Sequence, residues 1–411
     1  MIGRVAIVGA SAAGISAART LRACGFDGSI TLIDAEPRWP YQRPELSKRL
    51  FETPPIAPAD IPLLTEQAAR DLRLDVLLGE RAIALDAGSR RLSLKSGATL
   101  SNDAVLLATG GIARRLPVPG MDLEGVHTLR DFEDVVALRE HLADADSIAV
   151  IGGGLIGAEI AAAAMGTGRR VCWLDAAPKP LTHVLPDAIA DYLIDAHRRL
   201  GVELRSRASI RALAGHAGCL QYIELADGSR IPAQVAVIGV GMMPNDTLAR
   251  EAGLAVSSGV DVDEEQRTAA FGVFAAGDMA AVLDPILDRR RRQEHWQAAE
   301  EQGANVARVM LGEPCTPASV PWFWSDQGSH HVEMTGVCAQ ETVLRMTQKG
   351  PVAFQLQAGR LVGVAAVDEI QAVRIGKRLI QSAISPAREL LADPTVELRK
   401  LLSSQRIAAS V

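Results

Sequence analysis

Short apolar runs that end in glycine-rich turns and continue into small-residue helices occur twice along this chain. Each run indicates a buried strand, because it is short and bounded by glycine, and the stretch behind it is helical in pattern. A strand, a helix and a second strand in this order give parallel pairing with both faces of the sheet covered. The two units are formed by residues 5–8, 12–22 and 30–33 and by residues 147–151, 152–164 and 170–174.

The second of these units lies between two other apolar runs, residues 104–108 and 235–240, which also lead into glycine. We therefore expect the second unit to be inserted into the domain that contains the first. Residues 272–276 and 293–311 predict a further strand and a long helix. The pattern changes at Pro321, after which short strands predict an antiparallel sheet that ends in a helix.

Composition narrows the class of protein. A net charge of −6 gives no electrostatic reason to expect a nucleic acid partner. The five cysteines form no C-x-x-C pair, so neither a disulfide framework nor a metal site is indicated. Because the chain begins with a strand pattern and contains no apolar run as long as a membrane span, we expect a cytoplasmic protein without a membrane partner.

GGGLIG, at residues 152–157, follows a strand and opens a helix, which is the setting of a dinucleotide-binding turn. Gly152 would make the tight turn, Gly154 would let the backbone approach a pyrophosphate, and Gly157 would allow close helix packing. Asp175 ends the next strand, where a carboxylate accepts hydrogen bonds from a ribose 2′-hydroxyl and repels a 2′-phosphate. NADH is therefore favoured over NADPH, although Asp175 could instead cap a loop.

GASAAG, at residues 9–14, is an incomplete version of the same fingerprint, because Ser11 stands where the second glycine is expected. Its hydroxyl could bond to a phosphate oxygen, and the small neighbouring residues still allow close approach. Asp34 and Glu36 both follow the second strand at the distance expected for a ribose-binding carboxylate. Two dinucleotide sites in one chain can serve hydride transfer between a nicotinamide and a flavin.

Motifs in a characteristic order extend the pattern over nearly the whole chain. They are GASAAG, PYQRPELSK, ATG, GGGLIGAE, PN, FAAGD, EHWQAAEEQG and PWFWSDQ. This order resembles the FAD-dependent, NADH-using ferredoxin reductases of bacterial oxygenases and cytochromes P450, the family of putidaredoxin reductase and of the aromatic-ring dioxygenase reductases. The elements PYQRPELSK and PWFWSDQ are more specific than any glycine motif.

The pattern and the resemblance together predict an α/β fold with two Rossmann-like dinucleotide-binding domains, the NAD domain inserted in the FAD domain, and a C-terminal α+β domain. The FAD domain would comprise residues 1–112 and 243–319, the NAD domain residues 113–242, and the C-terminal domain residues 320–411.

PYQRPELSK, at residues 40–48, would run along the flavin in such a protein. The resemblance implies that Lys48 lies near the reactive edge of the isoalloxazine, with Arg43 and Pro44 lining the cofactor, and a cation there favours the anionic reduced flavin. Without its neighbours Lys48 would be interpreted as a solvated loop lysine. Disulfide-reducing relatives carry a redox cysteine pair in about this region, whereas residues 39–50 contain no cysteine, so electrons must leave by another route.

Further cofactor contacts follow from the resemblance. Glu36 would bind the FAD ribose, since the family usually has glycine at the position of Asp34. Glu159 would face the nicotinamide and, with Lys48, carry the catalytic roles. The complete set of predicted cofactor-binding residues is Gly9, Ser11, Ala13, Gly14, Glu36, Arg43, Pro44, Lys48, Ala108, Thr109, Gly110, Arg130, Gly152, Gly154, Leu155, Ile156, Gly157, Glu159, Asp175, Gly241, Gly277, Asp278, Glu294, His295 and Trp296.

Several of these residues have simpler interpretations, and some positions depart from the family. Asp278 could be a helix N-cap, Arg130 a surface arginine and Trp296 a core residue. The departures are Ser11 for glycine, Glu45 where proline is common, and His183 where arginine is usual.

Arg289 to Arg292 form the most concentrated basic run, and an acidic [2Fe-2S] ferredoxin would be attracted to it. A solvated surface run is the equally weighted alternative. Trp322 and Trp324 would sit next to the flavin on the C-terminal domain, where they could shield it or pack as ordinary core aromatics.

These features predict an enzyme that passes a hydride from NADH to FAD and then single electrons to a ferredoxin, with no metal, as a monomer or homodimer. One alternative is an NADH oxidase, peroxidase or disulfide reductase on the same fold, which the missing cysteine argues against. Another is a signalling flavoprotein resembling apoptosis-inducing factor.

Overall fold

The chain divides into two units, and it enters each of them more than once. Unit 1 comprises Met1–Arg43, Ile56–Ile112 and Met242–Ala318, and unit 2 comprises Pro44–Pro55, Ala113–Gly241 and Ser319–Val411. The computed structural model describes residues 2–284, 289–316 and 319–402. Met1 and residues 285–288, 317–318 and 403–411, which fall within the predicted domain ranges, lie outside the described residues. The division into four domain segments remains a prediction.

The chain as far as Gly241 contains most strands of two parallel sheets, their connecting helices and two small antiparallel sheets. The strands are β1 (Arg4–Val8), β2 (Ser29–Asp34), β3 (Leu74–Leu78), β4 (Ala82–Asp86), β5 (Arg91–Leu94), β6 (Thr99–Ser101), β7 (Ala104–Leu107), β8 (Gly111–Ala113), β9 (Val126–Thr128), β10 (Ser147–Ile151), β11 (Arg170–Leu174), β12 (Glu203–Arg205), β13 (Ile210–His216), β14 (Cys219–Leu225), β15 (Arg230–Pro232) and β16 (Val235–Ile238). The helices are α1 (Ala12–Ala23), α2 (Glu45–Lys48), α3 (Glu66–Asp71), α4 (Phe132–Leu142), α5 (Leu155–Met165) and α6 (Asp187–Leu200).

The remainder of the chain contains both parallel and antiparallel strands. They are β17 (Met242–Pro244), β18 (Val260–Val262), β19 (Val273–Ala275), β20 (Ala280–Asp284), β21 (Arg289–Arg291), β22 (Trp322–Gln327), β23 (His330–Gly336), β24 (Glu341–Met346), β25 (Pro351–Gln357) and β26 (Arg360–Val367). The helices are α7 (Thr247–Glu251), α8 (Trp296–Met310), α9 (Ile370–Gln381) and α10 (Arg388–Ala392). None of the helices in the described ranges has the length and apolar character needed to cross a membrane.

The central sheet of unit 1 has the strand order β19-β7-β1-β2-β3, and all its strands are parallel. Val5 and Ile7 of β1 pack into one core, and Ala6 and Val8 pack into another. Both faces are therefore covered, which explains why β1 is a continuous apolar run rather than an alternating one. Helices α1 and α8 meet in the first of these cores, where a Cβ on Gly303 would collide with backbone of α1.

Unit 2 contains a second parallel sheet and a separate antiparallel one. The parallel sheet has the order β12-β11-β10-β16-β9, and Ala149 and Ile151 of β10 face a core shared with the small sheet β13-β14-β15. The antiparallel sheet has the order β22-β23-β26-β25-β24, and Phe354 and Val364 pack there against Leu379 of α9. Burial of one face by α9 is what holds this sheet together.

The sequence pattern located the apolar strands better than the other elements. The runs at residues 5–8 and 170–174 correspond to β1 and β11. Helix α8 begins at Trp296 rather than at residue 293, because His295 is extended and takes the N-cap position. Strands β3–β6, strand β22 and helix α6 had no predicted counterpart; in β22 the polar and aromatic side chains do not alternate with apolar ones, so the strand period was hidden.

Candidate functional site

The first glycine-rich loop, in unit 1, joins β1 to α1 by a turn that requires glycine. Gly9 has a φ of +111°, and a Cβ at this position would collide with the carbonyl oxygen of Ala108 at the end of β7. A Cβ on Gly14 would collide with the carbonyl oxygen of Gly9, so α1 lies close to the turn only because residue 14 has no side chain. The N-terminus of α1 is thereby exposed to whatever binds at this loop.

The second loop, in unit 2, repeats this construction between β10 and α5. Gly152 has a φ of +119°, and a Cβ on it would collide with the carbonyl oxygen of Gly239. A Cβ on Gly157 would in turn collide with the carbonyl oxygen of Gly152. The buried indole N–H of Trp173 donates to that same Gly152 oxygen at 2.9 Å, and this hydrogen bond holds the turn in place.

The middle position of each loop obeys a different rule. Ser11 and Gly154 are the N-caps of α1 and α5, with φ and ψ of −102° and −160° for Ser11 and of −88° and −179° for Gly154. This extended conformation is open to any residue. A Cβ on Gly154 would have only His183 Nε2 near it, at 3.8 Å. The fold therefore does not require glycine at this position, and a bound pyrophosphate is the remaining reason for it.

Asp175 stands beside the second loop. A Cβ on Gly153 would collide with its Oδ2, and its Oδ1 accepts a hydrogen bond from the Ala177 N–H at 3.3 Å. The carboxylate thus caps its own loop with one oxygen and directs the other at the glycine turn. Among the other predicted residues of this loop, Ile156 is exposed on the first turn of α5. Gly241 is exposed with a φ of +92°.

A small pocket beside the first loop separates the roles of the two candidate ribose carboxylates. Asp34 accepts the Ala10 N–H at 2.7 Å and the Glu36 N–H at 2.9 Å, so it holds the loop in place. Glu36 accepts the Tyr41 hydroxyl at 2.6 Å and forms an ion pair with Arg43. Glu36 is therefore the better placed carboxylate for a ribose hydroxyl. The pocket is lined by Ala10, Ser11, Asp34, Glu36, Arg38, Pro40, Tyr41 and Arg43.

The ATG and PN motifs of unit 1 are joined to each other. The Thr109 hydroxyl donates to the carbonyl oxygen of Asn245 at 2.6 Å, and the Asn245 N–H donates to the carbonyl oxygen of Gly110 at 2.9 Å. These bonds close the end of β7, next to the Gly9 turn. The ATG and PN motifs, which lie far apart in the sequence, are thus held together beside the first loop.

The FAAGD and EHWQ motifs meet at the start of α8, also in unit 1. Gly277, with a φ of +80°, donates its N–H to Oε1 of the buried Gln302 at 2.8 Å. Burial lowers the pKa of His295, and the Asp278 carboxylate opposes that change. Trp296 is half-buried and packs against the core of α1 and α8, as the simpler interpretation expected. Gln302 was not singled out from the sequence, although it belongs to the quoted motif EHWQAAEEQG.

A buried ion pair forms the most strongly connected part of unit 2. Lys48 Nζ lies 2.9 Å from Oε1 of Glu159, and the side chains are only 11% and 4% exposed. The same Oε1 accepts the Ser325 hydroxyl at 2.7 Å and the Asp326 N–H at 3.3 Å, while Oε2 accepts the Ser47 hydroxyl. Lys48 is thus not the solvated loop lysine that the bare sequence would favour.

Ser47 and Ser325 are site residues that the sequence analysis missed. Each is buried, and each completes the hydrogen bonding of Glu159. A cation and three neutral donors thus face this buried carboxylate and compensate for the loss of water around it. The only sequence signal was their place inside the two most specific motifs, PYQRPELSK and PWFWSDQ.

The basic run is partly used within unit 1. Arg290 donates to the carbonyl oxygen of Val262, and Arg292 forms an ion pair with Glu294 at 2.8 Å. The backbone of Arg289–Arg291 forms β21, which pairs with β20, while the side chain of Arg289 lies outside the described part of the structure. At least two of the four arginines, Arg290 and Arg292, therefore form contacts within the fold and are not only surface charges.

The predicted residues group by unit. Unit 1 brings together the first loop, the Glu36 pocket and the ATG and FAAGD motifs, and this cradle fits a dinucleotide such as FAD. Unit 2 brings together the second loop, Asp175 and the Lys48–Glu159 pair, which fit a nicotinamide dinucleotide. The predicted FAD contacts that belong to unit 2 are Pro44, Lys48 and Arg130; the backbone N–H of Arg130 donates to Asp134 at 2.6 Å at the start of α4.

Family models match most of the chain. Residues 3–303 match the model of pyridine nucleotide-disulphide oxidoreductases, and residues 322–402 match the model of the reductase C-terminal domain. The chain belongs to the pyridine nucleotide-disulphide oxidoreductase family. The predicted fold class is confirmed, and so is the predicted class of enzyme, an oxidoreductase that uses FAD and NADH.

Individual relatives narrow the resemblance. The chain is 37% identical over 417 residues to the ferredoxin reductase component of chlorobenzene dioxygenase from a Cupriavidus species, covering 99% of both chains. It is 35% identical to the ferredoxin–NAD(+) reductase component of the biphenyl dioxygenase system from Paraburkholderia xenovorans, covering 98% of this chain and 100% of that one. The predicted resemblance to ferredoxin reductases is therefore confirmed.

Solved structures agree with these relatives. The ferredoxin reductase of the CYP199A2 system from Rhodopseudomonas palustris superposes with a TM-score of 0.93 at 31% identity, covering 97% of this chain and 99% of that one. Putidaredoxin reductase in its covalent complex with putidaredoxin superposes with a TM-score of 0.92 at 30% identity, covering 98% and 99%.

We expect Gly154→Ser to weaken NADH binding without unfolding the protein, because the added Cβ is near only His183 Nε2, at 3.8 Å, but enters the path of a pyrophosphate. The KM for NADH should rise about tenfold while the unfolding midpoint stays unchanged. Ser11→Gly is the reciprocal variant and should slow the release of FAD. Unchanged KM in Gly154→Ser would contradict the ligand-based explanation.

We expect Lys48→Met and Glu159→Gln each to cost about 3 kcal/mol of unfolding free energy, because each leaves the other member of a buried pair without its counter-charge. The double variant should be more stable than the sum of the single effects, with a coupling of about 1–3 kcal/mol in denaturant titrations. Simple additivity would mean that the two charges do not stabilise each other.

Proposed function

We propose that this protein is an FAD-dependent ferredoxin reductase that takes a hydride from NADH and delivers single electrons to a [2Fe-2S] ferredoxin of a Rieske oxygenase or cytochrome P450 system. The observation that carries the proposal is the buried Lys48, held by Glu159 on the helix that follows the second glycine loop. The surrounding stretch, residues 39–50, has no cysteine. The names of the relatives that match over nearly their full length support the same function.

The catalytic roles rest on charge and position. FAD, when bound, supplies the capacity to accept two electrons as a hydride and to release them singly. Lys48 supplies a fixed positive charge that favours negative charge on the bound flavin. Because the ammonium is buried, this electrostatic attraction is larger than it would be in water. Glu159 fixes the position of the ammonium through the ion pair. Ser47 and Ser325 hold the Glu159 carboxylate, so the ion pair is preorganised.

The nicotinamide dinucleotide is selected by the second loop. The N-terminus of α5 and the N–H groups of residues 152–157 bind the pyrophosphate, and Gly154 leaves room for it. Asp175 accepts hydrogen bonds from a ribose 2′-hydroxyl and repels a phosphate at that position. Glu159 acts through Lys48 rather than by direct contact with the nicotinamide, because its carboxylate already accepts four donors.

The ferredoxin partner is supported by the relatives, which are ferredoxin reductases, and one of them forms a covalent complex with putidaredoxin. We place its docking near Arg289 to Arg292, where a basic strand would attract an acidic protein. A cytoplasmic location is supported by the five cysteines, which the structure holds as separate thiols. A monomer or homodimer is the proposed assembly.

The first experiment is a visible spectrum of the purified protein followed by anaerobic titration with NADH and NADPH. We expect bound FAD, bleached by NADH at about tenfold or more lower concentration than by NADPH. Asp175→Ala should narrow this preference, because it removes both the hydrogen bonds to the 2′-hydroxyl and the repulsion of the 2′-phosphate. A protein without affinity for FAD would refute the function, and a preference for NADPH would refute the role of Asp175.

Docking is tested with Arg291→Glu, assayed for NADH-driven reduction of a [2Fe-2S] ferredoxin and of ferricyanide. We expect the ferredoxin rate to fall about tenfold at low salt, with less difference at high salt, while the ferricyanide rate is unchanged. Arg211→Glu is the matched control, since it makes the same charge change at an exposed arginine of β13. Equal losses in both variants would indicate a general charge effect and exclude this docking surface.

A further inference from the structure

The hairpin of β22 and β23 carries a histidine that faces two carboxylates. His331 Nδ1 lies 2.6 Å from Oδ1 of Asp326, and Nε2 lies 3.1 Å from Oε1 of Glu333. A neutral imidazole has one N–H and could donate to only one of them, whereas an imidazolium donates to both. The geometry of the hairpin therefore fits a cation at His331.

One side of this cluster leads to the two tryptophans of PWFWSDQ. Glu333 Oε2 accepts the Trp322 indole N–H at 3.1 Å, and the Trp322 ring is stacked on that of Trp324, with centroids 5.1 Å apart and planes at 23°. Lys48 Nζ lies 5.7 Å from the centroid of the Trp324 ring, within reach of a cation–π attraction. The carboxylate held by His331 thus also orients the aromatic pair above Lys48.

The other side leads back to the buried ion pair. Asp326, which faces His331 with its carboxylate, donates its backbone N–H to Glu159. Glu159 holds Lys48, so the contacts close into one ring, which we call the hairpin ring. It consists of Lys48, Glu159, Asp326, His331, Glu333, Trp322 and Trp324.

We propose that His331 is a positioning residue: as an imidazolium it closes the hairpin ring, and through Asp326 and Glu333 it holds Lys48 and the stacked tryptophans in their working arrangement. The inference rests on the proposed function in one respect, since only that function assigns Lys48 to the flavin. The family model and the named relatives supply no role for this histidine, and the sequence analysis did not single it out.

Charges on every neighbouring element bear on the protonation of His331. Asp326 of β22 and Glu333 of its own strand favour the cation, while Lys48 of α2 faces Asp326. Arg374 and Lys377 of α9 line a cavity of about 180 Å³ together with Trp322 and Glu333. The adjacent His330 pairs with Asp368 instead.

The balance of these charges favours the imidazolium at neutral pH. Hydrogen bonds to Asp326 and Glu333 raise the pKa of His331 to about 9, against the opposing effect of burial. The pKa of His331 in the folded protein is raised above the ordinary value of 6.5. The imidazolium therefore contributes its full stabilisation of the folded protein below pH 6.5, and this contribution is lost as the pH rises through about 9. Above that pH, Glu333 faces a neutral imidazole. Arg374 and Lys377 of α9 are then the cations that compete for its carboxylate.

Three variants of the holoprotein test the proposal. His331→Gln keeps one donor but removes the charge, and His331→Lys restores a cation at the same place. His330→Gln is the matched control, because it removes the neighbouring histidine of the same strand, whose partner Asp368 lies outside the hairpin ring. Unfolding midpoints at neutral pH establish that each variant is folded before its other properties are compared.

Two readouts are needed, one of which does not depend on activity. Nuclear magnetic resonance should show the His331 ring titrating near pH 9 and the indole N–H signal of Trp322 shifting with the same midpoint. Stopped-flow bleaching of the flavin by NADH should slow in the wild type as the pH rises through that range. His331→Gln at neutral pH should give the slow rate of the wild type at high pH, a loss of about tenfold, while His331→Lys keeps most of the rate.

The outcomes separate this inference from the proposed function. If Trp322 does not respond when His331 titrates, or if His331→Gln has the wild-type pH profile, His331 does not position the site. The same holds if His330→Gln causes an equal loss. If the protein binds no FAD, the proposed function fails, whereas the magnetic resonance titration still decides whether the hairpin ring exists.

Discussion

The ion pair and hydrogen bonds of the buried carboxylate of Glu159 are the interactions on which the candidate site in unit 2 depends. An ionised carboxylate away from water is costly unless its oxygens are filled by donors and a cation. Here Ser47 and Lys48 of α2 and Ser325 of β22 provide these partners from segments that lie far apart in the chain. Satisfying one charge therefore ties α2, α5 and β22 together, and the geometry of the ion pair is a consequence of that requirement.

The glycine loops impose a second constraint, which acts separately in each unit. Gly9 and Gly152 have positive φ, and Gly14 and Gly157 press against the turns they follow, so these four glycines are required by the fold. Ser11 and Gly154 are extended and are not so required. The same loop thus contains positions set by backbone sterics and a position set by the ligand, which explains how one of the two loops can lack its middle glycine.

The route by which electrons leave distinguishes this protein from the disulfide-reducing members of its family. Residues 39–50 carry Lys48 and no cysteine, and Lys48 Nζ lies 5.7 Å from the ring of Trp324, on which Trp322 is stacked. A site built from a fixed charge and aromatic rings needs no covalent intermediate. Its performance depends on the positions of these groups, and hence on the hairpin of β22 and β23 that holds them.

The sequence by itself determined the most apolar parallel strands, which are β1, β2, β7, β10, β11, β16 and β19, together with the glycine turns and the family. A strand buried on both faces must be apolar throughout, and a turn with positive φ selects glycine, so both leave local patterns that can be read without a structure. The motifs also identified Lys48, Glu36 and Asp175 by position. The choice of Glu36 over Asp34 came from the resemblance alone, because both residues follow the same strand and their spacing does not separate them.

Only the tertiary structure decided the partners of these residues. Ser325 is separated from Glu159 by 166 residues, and Lys48 by 111, so no local period could reveal that they meet. The same holds for His331, whose strand shows no signal of its charge until antiparallel pairing places Asp326 beside it, opposite Glu333 of its own strand. The steric requirements of a turn act between neighbouring residues and therefore show in the local sequence. The partners of a buried charge come from distant segments, which only the folded chain brings together.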